Sequence, residues 1–323
     1  MIPELHLRLG VQEADLPALA DLRTRCNETD GTEDVYTVEV IANEMAHASG
    51  WDPSRDDILA ELDGTLAGWA RASVHLTQTG EQILEAIVRV DPDHRGRGIG
   101  RALLRRCEAR QRERAVAEPH AGRRILSTYA TDPPAGSRNL YESEGYRPVR
   151  YYFHMVRADL EGLPDPELPA GFDVRPVREE DLDTILDASD EAFGDEWLEA
   201  RPTPEDRARY VGDPRVDPRL WQVAWLGKEV AGLVFPSDDR DANARYERRR
   251  ILLDAVATRR PFRRRGLATA LMLRALHAAR ESGFTSADLW VDSANPSGAL
   301  RIYERLGFEV VLRSTAYHKE FKA

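Results

Sequence analysis

Cysteine and lysine are the residues this chain of 323 has least of. Its two cysteines, Cys26 and Cys107, cannot build a disulfide framework or a thiolate metal cluster. Lysine occurs only at positions 228, 319 and 322, so nearly all the positive charge is arginine. That preference reads first as a compositional bias, although the planar arginine fork also suits phosphate. Long apolar runs are missing: none approaches the ~18 residues of a membrane-spanning helix, and residues 1–10 mix charge with leucine in place of a signal-peptide core. Positive charge is in deficit, 45 basic against 56 acidic residues, and a net charge of −11 repels nucleic acid and anionic membrane. These absences predict a cytoplasmic protein. The eight histidines hold no pair at helical ligand spacing beside a carboxylate, so no metal is expected, and no Gly-x-Ser-x-Gly elbow occurs. The arginine-rich stretch from Arg95 to Arg114 lacks the interleaved aromatics of a nucleic-acid surface.

What is present is a folded composition, 42% hydrophobic and 31% charged, in a chain long enough for two domains. The chain also repeats itself. Leu7-Arg8 through Leu16 returns as Val174-Arg175 through Leu182, each read as a strand, a turn and a helix opened by acid. Asp63-Gly64 and Gly227-Lys228 sit alike between two apolar runs, and both predict hairpins. Arg95 to Gly100 returns at Arg263 to Ala268, while Tyr141, Gly145 and Tyr146 return at Tyr303, Gly307 and Phe308. Four matches in one order at a nearly constant offset indicate a tandem duplication. Three prolines, Pro164, Pro166 and Pro169, mark a stiff linker at 160–171, which divides the chain into domains at 1–159 and 172–323. Apolar strands at Ile83–Val90 and Ile251–Thr258 precede the repeated turns. Helices follow, with Ile99, Leu103 and Cys107, and then Leu267, Leu271 and Ala275, on their inner faces. The alternation predicts two α/β layered domains.

Both turns run from strand into helix. The first holds Arg95, Gly96, Arg97, Gly98, Ile99 and Gly100; the second holds Arg263, Arg264, Arg265, Gly266, Leu267 and Ala268. Glycines there allow close backbone approach, and successive N–H groups at a helix start form an anion cradle fitted to a pyrophosphate. The pattern is neither the dinucleotide fingerprint nor an NTPase P-loop.

With these turns and the later Tyr-x-x-x-Gly-aromatic segments, each half resembles a GCN5-related N-acetyltransferase (GNAT) domain. The whole resembles the tandem acetyltransferases of mycothiol synthase-like architecture. The resemblance implies mixed, mainly antiparallel sheets splayed into a V and flanked by helices, with acetyl-CoA in the gap. It implies that the turns bind the pyrophosphate, and that Val88, Arg89 and Val90, with Val256, Ala257 and Thr258, pair with the pantetheine arm. It makes Tyr303, and Tyr141 in the first copy, the general acid for the departing thiolate. A thiol of pKa ~8.5 ionises more easily than a tyrosine of pKa ~10, a mismatch of about 2 kcal/mol, so hydrogen bonding to the sulfur matters more than full proton transfer.

Asn295 is read as capping the helix that carries Tyr303 and as lying near the cofactor. The same count in the first copy falls at Pro133. An amine of pKa ~10.4 needs a base. The strand glutamate of the mycothiol synthase-like proteins falls here at Leu84 and Leu252. Asp254, two residues along, shares a face with Leu252 on a regular strand, whereas Glu85 needs a bulge to do so. The expected activity is acetyl-CoA-dependent N-acetylation of a small-molecule or peptide amine by a monomer or homodimer. The second half catalyses, and the first binds cofactor or is structural. The alternatives are a mycothiol synthase-type enzyme and a non-catalytic acyl-CoA sensor. Acceptor contacts are expected from Cys26–Gly50 and Glu191–Val216.

Overall fold

A two-residue turn of left-handed backbone closes a hairpin in the first half. Asp63 and Gly64 take φ of 52° and 76°, the turn that suits the twist of the flanking strands. In the second half Gly227, at φ 63°, opens the equivalent turn. The computed structural model describes residues 5–132, 136–295 and 297–322.

In chain order the first half contains β1 (Leu5–Leu9), α1 (Leu16–Asp30), α2 (Val38–Ala46), β2 (Asp57–Leu62), β3 (Thr65–Leu76) and β4 (Gln82–Val90). It continues with α3 (Ile99–Ala117), β5 (Arg124–Asp132), α4 (Gly136–Ser143) and β6 (Arg147–Arg157). The second half contains β7 (Asp173–Val174), α5 (Leu182–Phe193), α6 (Pro204–Val211), β8 (Gln222–Leu226), β9 (Glu229–Ser237) and α7 (Arg240–Arg245). It ends with β10 (Arg250–Thr258), α8 (Leu267–Glu281), β11 (Ser286–Asp292), α9 (Ala299–Arg305) and β12 (Glu309–Glu320). The duplication read in the sequence is thus a duplication of structure.

The chain forms two compact units. One comprises residues 1–152, 203–209 and 312–323; the other comprises residues 153–202 and 210–311. In the first unit β1, β2, β3 and β4 pair antiparallel, β4 and β5 pair parallel, and Arg313–Glu320 of β12 pairs antiparallel with β5. In the second, β7, β8, β9 and β10 pair antiparallel, β10 and β11 pair parallel, and β6 lies beside β11. Both are mixed, mainly antiparallel sheets flanked by helices.

Each sheet opens at its parallel pair. The β4–β5 register runs from Gln82↔Arg124 to Glu85↔Ser127, and the β10–β11 register from Arg250↔Ser286 to Leu252↔Asp288. The remainder of β4 and β10 therefore presents backbone groups beyond the paired segment. The long helices seal the sheets through the expected faces: Ile99, Leu103 and Cys107 on α3, and Leu267, Leu271 and Ala275 on α8, are all buried. Gly68 and Gly232 let these helices sit close, since a Cβ at Gly68 meets Leu103 at 3.0 Å and one at Gly232 meets Leu267 at 3.3 Å.

Candidate active site

The two basic turns share one backbone path. Gly96 and Gly98 take φ of 77° and 87°; Arg264 and Gly266 follow at 62° and 81°. A Cβ at Gly96 or Gly266 would meet no atom within 4 Å, so both turns face open space. The first helical bond of α3 is made by the Ala102 N–H to Gly98 O at 3.1 Å, and that of α8 by Ala270 to Gly266 at 3.1 Å. The amides before them are the unpaired donors of a helix start, which attract anions. Arg97, Arg264 and Arg265 are exposed beside them. A pyrophosphate fits this combination of open, donor-rich and positive surface.

Arg95 and Arg263 are occupied otherwise. The Arg263 Nε donates to Thr258 O at 2.8 Å, its Nη1 to Asp195 at 2.8 Å and its Nη2 to Ala192 O at 3.2 Å. Arg95 repeats this, with its Nε on Val90 O at 3.2 Å and its fork on Asp30 at 2.6 and 3.1 Å. In each unit the first arginine of the turn ties strand end to first helix. Arg259 and Arg260 add pairs to Glu191 and Asp195.

β10 is not regular. Leu253 pairs with Pro236 and Ala255 with Phe235, which leaves Asp254 as the extra residue of a β-bulge. Ile251 and Leu253 pack in the core under α8, whereas Ala255 and Ala257 pack with α5. Asp254 stands on the side opposite Leu253, as alternation from Leu252 predicts, and the bulge sets Ala255 on that α5 side as well. It keeps solvent-accessible area although protein surrounds it, and desolvation pushes its carboxyl up. Tyr210 lies beside it, and burial followed by the Asp254 charge keeps that phenol protonated.

β4 has an unbroken register, Glu85 facing Ser73 and Ile87 facing Arg71. Leu84 packs under α3, so Glu85 points to the α1 and α2 side with Ile87. Equal counts back from the turn therefore reach Leu84 and Leu252 on opposite faces, because only β10 carries the bulge. The α1 and α2 side of the first unit is filled with charge. Arg23 donates to Glu44 at 2.8 and 3.1 Å, while Arg71 donates to Asp57 at 3.0 Å and to Glu44 at 3.3 Å. The two guanidinium groups lie over Tyr36 at 3.5 Å and over Trp51 at 3.4 Å. Burial alone would raise Glu44, but Arg23 and Arg71 pull it down to about 2. Glu85 is raised by burial, with Arg71 acting against the rise.

Tyr303 is 5% exposed, and its ring packs 6.3 Å from that of Phe308. Burial and then the Glu196 charge raise its phenol, and no hydrogen-bond partner for its hydroxyl is found among the described residues. Tyr141 is 2% exposed within a cluster formed with Tyr146 and Tyr317, at ring separations of 6.1 and 5.7 Å. Asn295 does not cap α9. Gly298 holds that position with φ 77° and no side-chain cap. The Asn295 amide donates to Glu196 at 3.0 Å, and its carbonyl accepts from the Ser297 N–H at 2.9 Å. The reason is local: the Asn295 side chain closes on the Ser297 N–H, two residues before the helix starts at Ala299. Pro133 lies outside the described residues.

The segment after α5 lies within the Glu191–Val216 stretch from which acceptor contacts are expected, though no motif singles out a residue of it. Glu199 there is held near a pKa of about 7 by burial and by the charges of Glu196 and Asp190. No local pattern marks it. No helix among the described residues is long and apolar enough to cross a membrane.

The model of the acetyltransferase (GNAT) family matches residues 182–308, and that of the acetyltransferase (GNAT) domain matches residues 54–148. A mycothiol acetyltransferase of Geodermatophilus obscurus is 32% identical over 263 residues, covering 79% of each chain. A mycothiol acetyltransferase of Thermobispora bispora is 30% identical, covering 89% of this chain and 96% of its own. Among solved structures, a GCN5-related N-acetyltransferase from Sphaerobacter thermophilus superposes with a TM-score of 0.74 at 27% identity, covering 99% of this chain and 97% of that one. A tandem GNAT protein from the clavulanic acid biosynthesis pathway has the same fold, with a TM-score of 0.73 at 18% identity and 98% of both chains covered.

Proposed function

Because this chain belongs to the GNAT acetyltransferase family, with two GNAT domains in tandem, we propose that it is a cytoplasmic N-acetyltransferase that draws on acetyl-CoA and acetylates a primary amine in its second half. The contrast between the two sheet faces carries this reading. In the second unit Asp254 stands on a bulge with solvent access, and Tyr303 keeps an unpartnered hydroxyl. In the first, Glu85 faces Arg71 across a side filled by the Arg23–Glu44–Arg71–Asp57 network, and Tyr141 is locked among tyrosines.

Bound in the opened sheet, acetyl-CoA supplies a thioester as acetyl donor. The amides at the start of α8, with Arg264 and Arg265, hold its pyrophosphate. The stretch of β10 beyond its pairing with β11, Val256 to Thr258, which keeps β9 on its other edge, lines the pantetheine arm, and a backbone N–H near Val256 steadies the negative charge on the attacked carbonyl. Asp254 takes the amine proton; its raised pKa brings it nearer the operating pH than an ordinary carboxylate. Tyr303 donates a hydrogen bond to the leaving sulfur. The first unit keeps the same turn and so binds cofactor or supports the fold.

A second reading is favoured by the relatives. Several proteins matched along most of their length are mycothiol acetyltransferases, which supports an acceptor of that kind. The two readings differ only in the amine.

Thiol release from acetyl-CoA over a panel of amines tests the proposal. Tyr303→Phe keeps the ring packed and should lower kcat by about 10²–10⁴-fold with cofactor affinity unchanged. Tyr141→Phe should leave turnover largely intact. The reverse pattern would move catalysis to the first half.

A further inference from the structure

The second unit's sheet parts at one register pair, and a tryptophan stands just past it. Leu252↔Asp288 is the last residue pair of β10 and β11. Leu289 and Val291 lie in the core with Leu267 and Leu271 of α8, so Asp288 and Trp290, which alternate with them, occupy the opposite face. Leu253 belongs to the same core, which puts Asp254 on the face of Trp290. Two residues past the last pair, one strand thus offers a carboxylate and the other an indole, one on each side of the opening. Trp290 is the exposed residue of a strand whose other side chains are all buried. It keeps 37% of its surface open, and no ring other than that of His154 lies against it among the described residues.

Trp290 is braced from behind. The His154 ring of β6 stacks on it, with centroids 4.7 Å apart and planes 10° from parallel. His154 Nε2 and Asp288 Oδ2 share a hydrogen bond of 2.8 Å, and the two residues are only 3% and 9% exposed. His154 Nδ1 is buried without a partner among the described residues. A buried nitrogen left unpaired costs stability, and an aliphatic side chain would fill the same space without that cost. What the imidazole adds is the bond to Asp288. That bond fixes the plane of the His154 ring, and through it the plane of Trp290.

Resting on the acetyltransferase reading, we propose that Trp290, braced by the His154–Asp288 pair, selects the acceptor by stacking on a ring that carries the primary amine, while the amine itself reaches Asp254 across the opening. The acceptor class is then a ring-bearing primary amine in preference to an open-chain one. An indole offers a broad flat face, and stacking adds to what burial of the ring contributes. A platform already fixed loses little freedom when the acceptor arrives.

Calorimetry on the full chain with coenzyme A present reads amine binding, and thiol release from acetyl-CoA reads turnover. Benzylamine, 2-phenylethylamine and glucosamine are set against propylamine and 1,4-diaminobutane. Wild type should bind at least one ring amine about 10-fold more tightly than the open-chain amines. Trp290→Ala should lose that preference and Trp290→Phe should recover part of it, with the melting point and acetyl-CoA affinity held. His154→Leu combined with Asp288→Leu removes the polar pair without stranding a buried charge, and should weaken the preference several-fold although Trp290 remains. A wild type that favours no ring amine overturns the proposal, as does a Trp290→Ala protein that keeps the preference. A folded double variant with the wild-type preference overturns the bracing role. A ring preference that depends on Trp290, in a protein that releases no thiol from acetyl-CoA with any amine, overturns the acetyltransferase reading instead.

Discussion

Arg263 and Asp195 form a 2.8 Å ion pair that holds the start of the second basic turn against the end of the second unit's first helix. The guanidinium also spans two backbone carbonyls, so its removal leaves Thr258 O and Ala192 O without a side-chain donor. Hydrogen bonds to a charged group contribute about 1.5–3 kcal/mol each when buried, and this pair is partly exposed, so the loss is smaller. Arg263→Ala should therefore destabilise the protein by about 1–2 kcal/mol, as measured by its denaturation midpoint, besides weakening cofactor binding. A variant that loses cofactor affinity with stability intact would return Arg263 to the role of a simple phosphate donor.

Arg264 occupies the left-handed position that Gly96 fills in the first copy. A side chain in that conformation costs roughly 1 kcal/mol relative to glycine. Arg264→Gly should raise the melting temperature by roughly 2–4 °C, and Gly96→Ala should lower it. Because Arg264 is exposed beside the anion-binding amides, the stabilised variant should also bind acetyl-CoA more weakly. Equal affinity with raised stability would remove Arg264 from the cofactor surface.

Glu44 gives the first unit a pH signature. Its folded pKa, about 2, lies below the ordinary 4.5 because Arg23 and Arg71 outweigh the burial that would raise it. A carboxylate depressed on folding contributes stability above its unfolded pKa, and that contribution is lost as pH falls through the folded value. Thermal melts should therefore fall between pH 4.5 and 2 more steeply in wild type than in Glu44→Gln. Glu44→Gln should also be less stable at neutral pH, since it leaves Arg23 and Arg71 short of a buried counter-charge. Parallel curves for the two proteins would mean the network titrates as a unit through Asp57.

The sequence by itself determined the duplication, the apolar strands ahead of the turns with the helices behind them, the hairpins, the two basic turns and the helix faces that bury Leu103 and Leu271. These follow from short-range rules: periodicity, positive φ at turns, and the unpaired amides of a helix start. It also placed Tyr303, Tyr141 and Asp254 on the correct elements. Tertiary structure decided what those rules cannot reach. The bulge at Asp254 depends on how β9 pairs with β10, so residue counting from the turn misaligns Leu84 with Leu252. Arg95 and Arg263 look like phosphate ligands until the first helix of each unit brings Asp30 and Asp195 to them. Asn295 meets Glu196 only when a segment about a hundred residues away folds back. Even the closing strand of the first unit comes from the far end of the chain, where Arg313–Glu320 pairs with β5. Local chemistry writes an element into its own residues; a strand pairing or an ion pair between distant residues belongs to no local pattern, and only the folded chain selects it.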